Sequence, residues 1–184
     1  MKDKYFKLLM PVLICTAGCA TETRVTRLEQ IGPDPALTSP NAGAGFLQVF
    51  SARERVPIDV NAEEFFENND YGKNEFLHYP AHTSYTIHAP DGHLLQRVRN
   101  ATEMNDASPT IVALAPGFYE LKAVAEDYSY VTLPVTIPVH IEPGLTTAVH
   151  LDGGWNPAIF RKQDNEMVCL PNGHVVGWRS PKTG

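Results

Sequence analysis

Residues Val131–Gly144 read "VTLPVTIPVHIEPG". Val131, Leu133, Val135, Ile137, Val139 and Ile141 recur at every second position, with Thr132, Pro134, Thr136, Pro138, His140 and Glu142 between them. A helix would scatter this apolar set around its circumference. A strand, whose side chains alternate between two faces, buries it whole. Pro134 and Pro138 have no N–H to give to a ladder, so the strand is expected at a sheet edge, or where it bends or changes sheets. Proline at an edge also blocks pairing with another chain.

The neighbouring segments follow the same rule. "FYELKAVAE" (Phe118–Glu126) groups Tyr119, Leu121, Ala123 and Ala125, with Glu120 and Lys122 outside. "LTTAVHLD" (Leu145–Asp152) turns Leu145, Thr147, Val149 and Leu151 inward, and "TSYTIHA" (Thr83–Ala89) aligns Tyr85, Ile87 and Ala89. "GFLQVFSA" (Gly45–Ala52), "HLLQRVRN" (His93–Asn100) and "TIVALA" (Thr110–Ala115) complete seven candidate strands, with no convincing helix among them. "PDG" (Pro90–Gly92) is a tight hairpin turn. "APG" (Ala115–Gly117) and "EPG" (Glu142–Gly144) put Pro and Gly where a type II turn needs them. The expected fold class is all-β, a seven-stranded antiparallel β-sandwich over residues 45–152.

The longest irregular stretch is Arg53–His82, both acidic and aromatic, in which "AEEFFEN" has the composition of a single helical turn. A loop of this length in a compact domain is often functional. It is the first place to seek a binding surface, and a plain insertion is the competing reading.

The chain has 184 residues and a net charge of −6. Residues 1–18 contribute +2 through Lys2, Lys4 and Lys7 against Asp3, which leaves −8 for the rest. No run of basic residues reverses that balance, which argues against nucleic acid as a partner.

The same three lysines precede "LLMPVLICTAG" (Leu8–Gly18). This apolar run is too short to span a bilayer and has the length of a signal peptide. It ends in "TAGC" (Thr16–Cys19), which resembles the lipobox of bacterial lipoproteins. That resemblance implies cleavage after Gly18 and a diacylglycerol on the sulfur of Cys19. Ala17 and Gly18 fit the motif, and Thr16 departs from its usual Leu, Val or Ile. The alternative is an ordinary secretory signal cut near Ala17–Ala20. Ala20, in place of Asp after the cysteine, implies sorting to the outer membrane. Residues 19–44 then read as a tether, shortened if "RVTRLEQI" (Arg24–Ile31) pairs as an edge strand.

"LAPGFYELKA" and "IEPGLTTAVHL", within Leu114–Trp155, resemble the repeated strand motifs of carboxypeptidase-regulatory-like, or transthyretin-like, β-sandwich domains of bacterial surface proteins. "HYPAHTSYTIHAPDGHLLQRVRN" (His78–Asn100) is similar to the hairpin that precedes them in small lipoproteins of this kind. The resemblance covers Gly45–Asp152. It implies a stabilising, spacer or recognition module. Its Pro-Gly pairs are turn chemistry, so no catalytic residue carries over.

Residues 153–184 form a tail. Within it, "MVCL" and "HVVGW" flank "PNG" (Pro171–Gly173), a strong hairpin signal over 166–178. Such a hairpin is marginal alone, so it is expected to pack on the sandwich or on a partner. Cys169, without a partner once Cys19 carries lipid, is expected as a buried strand thiol. His78 and His82 straddle Pro80 and stand ~13 Å apart if extended, too far for one metal ion. No G-x-S-x-G elbow or comparable motif places a nucleophile. Trp155 and Trp178 have two readings: packing of the tail onto the sandwich, or a sugar-stacking ligand contact.

The sequence thus predicts a lipid-anchored envelope protein, non-catalytic, with no cofactor and no metal. It is held to the membrane by Cys19 and acts as a structural or protein-interaction module. The alternative is a binding module for a glycan or another envelope polymer.

Overall fold

A computed structural model describes residues 25–38, 43–57, 78–101, 108–126, 132–155 and 166–181, with the backbone alone at 55–57 and 78–80. Residues 1–24, including Cys15 and Cys19, lie outside the described residues, as does the helical turn expected in "AEEFFEN".

The strands are β1 (Thr26–Arg27), β2 (Gly45–Phe50), β3 (Arg53–Pro57), β4 (His78–His82), β5 (Tyr85–His88) and β6 (Leu94–Val98). They continue as β7 (Ile111–Leu114), β8 (Gly117–Glu126), β9 (Thr132–Ile141), β10 (Thr146–His150), β11 (Met167–Cys169) and β12 (Val175–Trp178). No helix occurs among the described residues, and the protein is all-β. Five strands form one sheet in the order β1-β9-β8-β5-β6, and three form another in the order β10-β2-β7. β3 pairs with β4, and β11 with β12.

Each strand expected between Gly45 and Asp152 is present, but the pairing is not wholly antiparallel. β10 runs parallel to β2, and β1 parallel to β9. Alternation of apolar side chains marks a strand and its buried face. It carries no information on the direction of the neighbour, so the antiparallel expectation is corrected here to mixed sheets.

Both sheets turn their apolar faces to one core. From β9 come Val135, Ile137, Val139 and Ile141, and from β8 Leu121, Ala123 and Ala125. Leu47 and Val49 of β2, Val112 of β7 and Val149 of β10 meet them from the smaller sheet. Each fully buried Val, Leu or Ile contributes about 1.5–3 kcal/mol relative to exposure. The turn after β9 places Gly144 at φ 71°, a conformation that a side chain disfavours. The Tyr119 hydroxyl donates to the Ala115 carbonyl at 2.8 Å and pins the turn before β8.

The prolines of β9 are explained by its neighbours. β8 pairs along its whole length on one side. On the other side the short β1 segment takes over: Leu28 N–H donates to the Thr136 carbonyl, Ile31 N–H to the Pro138 carbonyl, and His140 N–H to the Ile31 carbonyl. The even-numbered residues of β9 therefore face this incomplete partner, and Pro134 and Pro138 sit where a missing donor breaks no bond to β8.

Much of the segment read as a tether belongs to the fold. Ile31 is 0% exposed, and Leu28 joins the same core. Ile31 also bridges to Arg179, and Gly32 N–H donates to the Trp178 carbonyl, so this segment binds the C-terminal hairpin to the sheet. Gly177 lets the two approach: a Cβ there would stand 2.8 Å from Cγ2 of Ile31 and 3.1 Å from the Ala148 carbonyl oxygen.

Two further expectations change. The ends of the long Arg53–His82 stretch are not irregular but pair as the β3–β4 ribbon, from Arg53↔His82 to Pro57↔His78; residues 58–77 lie outside the described residues. Cys169 is exposed, not buried. Met167 and Val168 are both buried and the next side chain turns out, where the facing strand β12 carries an extra residue, Val176, between the partners of Val168 and Cys169.

Candidate functional site

The outer face of the five-stranded sheet carries the residues left over from core formation. Register fixes how they line up. Arg97 lies opposite Thr86, Thr86 opposite Lys122, Lys122 opposite Thr136, and Thr136 opposite Arg27. This is one straight row across β6, β5, β8, β9 and β1. Three of its five side chains are cationic, and they alternate with two threonines.

The row crosses an open groove of about 650 Å³. Val25, Pro134 and Val124 line it on one side and Glu120 on the other. Arg27 Nη1 donates to Glu120 Oε2 at 3.1 Å, and Lys122 Nζ stands 3.8 Å from Glu120 Oε1. Arg97, exposed, has no acidic partner among the described residues. The row therefore holds three cations against one carboxylate, on a chain whose net charge is −6.

The floor is also polarised. His88 Nδ1 lies 3.0 Å from the Gly92 carbonyl, an acceptor only, so this nitrogen carries the proton. In the neutral ring Nε2 is then an acceptor, and the Thr86 hydroxyl donates to it at 3.0 Å. The lone pairs of Thr86 stay available to a donor from a ligand.

A second cluster lies on the outer face of the smaller sheet. His150 is stacked between Phe50, at 4.4 Å between ring centroids, and Trp155, at 4.2 Å. Trp178 meets Trp155 edge-on at 6.5 Å and 73°, and His82 meets Phe50 edge-on at 5.8 Å. Both tryptophans are half-buried in this column. Their rings form no common plane, so they offer no flat platform for a sugar ring. Burial holds His150 down at about 4, partly offset by the charges of Asp152 and Asp34. Asp152 also accepts from Arg53 Nη2 at 2.9 Å.

His140 is the residue nearest to a catalytic arrangement. Its Nδ1 lies 3.1 Å from Ser180 Oγ and 3.3 Å from Glu142 Oε1, and Phe118 stacks on its ring. Both partners address the same nitrogen. A nucleophile–base–acid relay uses the two ring nitrogens separately, so this cluster is an ordinary surface bonding pattern. Among the described residues no three His, Cys, Asp or Glu side chains converge as metal ligands.

Of the residues singled out from the sequence, Trp155 and Trp178 come together, and Cys19 lies outside the described residues. The cation row was missed. Its members are isolated in sequence, and only strand order and register bring them into line. Comparison of the chain with protein-family models, with curated proteins and with solved structures finds no match.

Proposed function

We propose that this chain is a bacterial envelope lipoprotein, anchored in the outer membrane through Cys19. Its transthyretin-like β-sandwich is non-catalytic and binds an envelope component on the outer face of the five-stranded sheet. The carrying observation is the alignment of Arg97, Lys122 and Arg27 along one groove of an otherwise acidic chain. An anionic ligand is drawn to such a patch although the whole protein is acidic, and the attraction weakens with salt.

The anchor is supported by the lysines and apolar run before Cys19. Two or three acyl chains, at about 0.8 kcal/mol per buried CH₂, hold the protein without an amphipathic helix. The two-sheet architecture and the Pro-Gly turns support the transthyretin-like assignment, and the shared nitrogen of His140 supports a non-catalytic role.

The test is retention of the chain carrying Cys19→Ser, which has no acyl anchor, on envelope fragments stripped of the protein. Lys122→Glu and Arg179→Glu change net charge equally, and only the first residue lines the groove. Retention that falls with salt and with Lys122→Glu, but not with Arg179→Glu, is expected. Equal retention of both variants contradicts the proposal.

A further inference from the structure

We infer that the cation row is a site for an extended acidic polysaccharide with a carboxylate on every second sugar. The inference rests on the reading of this face as the binding surface and names its ligand class.

Spacing is the first argument. Arg97, Lys122 and Arg27 stand on β6, β8 and β1, each separated from the next by one intervening strand. Adjacent strands are ~4.8 Å apart, so the cations recur every ~10 Å. Two sugars of an extended chain advance by about that distance. A carboxylate on alternate sugars then meets a cation at each step, and Thr86 and Thr136 lie beneath the sugars between.

Chemistry is the second. Along the row Thr86, Lys122 and Thr136 are paired on both sides, so a polypeptide laid across them finds no ladder to join. Recognition falls to side chains. The Thr86 lone pairs suit a sugar hydroxyl. Val25 and Pro134 give an apolar shoulder for the C–H face of a ring. The Arg27 and Arg97 guanidinium groups match carboxylates.

Glu120 is the opposing feature. It holds Arg27 and approaches Lys122, so an incoming carboxylate competes with it for both. Each exposed ion pair is weak, and affinity must accumulate along the polymer.

The full chain in detergent is titrated with a hyaluronan hexasaccharide, in which glucuronate alternates with a neutral sugar. Cellohexaose, polyphosphate and poly-glutamate of similar length serve as comparisons. The hexasaccharide is expected to bind, with Arg97→Ala and Lys122→Ala each weakening it about fivefold. Equal binding of cellohexaose, tighter binding of polyphosphate or poly-glutamate, or indifference to Lys122→Ala overturns the inference. If Lys122→Glu abolishes envelope retention but hyaluronan does not bind, the ligand class is wrong and the binding face stands. If neither responds, both readings fall.

Discussion

Arg27 and Glu120, 93 residues apart in the chain, meet at 3.1 Å on the outer face of the five-stranded sheet. Arg27 is largely exposed, and the Glu120 side chain only 18% so. The pair is the built-in competitor of any anion that enters the groove. Exposed pairs of this kind contribute about 0–1 kcal/mol to stability. Glu120→Gln is therefore expected to leave the melting temperature within a few degrees of the parent while strengthening anion binding severalfold. Calorimetric titration beside thermal unfolding checks both. A variant that loses stability without gaining affinity would make Glu120 a structural partner alone.

The segment before β2 is part of the core. Ile31 is buried between β9 and the C-terminal hairpin. Ile31→Ala should cost about 2–5 kcal/mol, the range for truncating a buried aliphatic side chain. Gly177→Ala, which pushes a methyl against Ile31, should cost about 1–3 kcal/mol by overpacking. Denaturant unfolding measures both. An Ile31→Ala change of only a few tenths would mean that residues 25–38 are a tether after all.

Acid should weaken the fold through His150. Burial depresses its folded value to about 4, below the ordinary 6.5. Between those values the unfolded chain binds the additional proton, so stability rises with pH. The contribution is complete above about pH 6.5 and is lost as pH falls toward 4, on the order of 3 kcal/mol. His150→Phe keeps a ring between Phe50 and Trp155 and removes the titrating group. Its unfolding free energy should be flatter than the parent's across that window. Parallel pH profiles would assign the acid sensitivity elsewhere.

How much of this was legible in the sequence depends on the kind of contact. β8 and β9 announce themselves by period two, because burying one face requires it. β1 is legible only in part: the alternation of Arg24–Ile31 allows an edge strand, and the segment does not say that its partner is the half-covered side of β9. The parallel pairing of β2 with β10 is equally silent, because alternation is the same in either direction. The exposure of Cys169 is not legible because the apolar run Met167–Val168 is buried on consecutive residues and the chain turns the next side chain out. The cation row could not be read at all. Arg27, Arg97 and Lys122 count toward net charge as isolated residues, and only the register Arg97–Thr86–Lys122–Thr136–Arg27 makes them a line.

The most direct test is to map the ligand on the protein by amide chemical shifts. The isotopically labelled chain is titrated with the hyaluronan hexasaccharide, and the shifts are assigned to residues. The shifts are expected to concentrate at Thr86, Arg97, Lys122, Thr136 and Arg27, and to shrink in Lys122→Ala. Shifts concentrated instead at Phe50, His150, Trp155 and Trp178 would place binding at the aromatic column and rule out the cation row as the site.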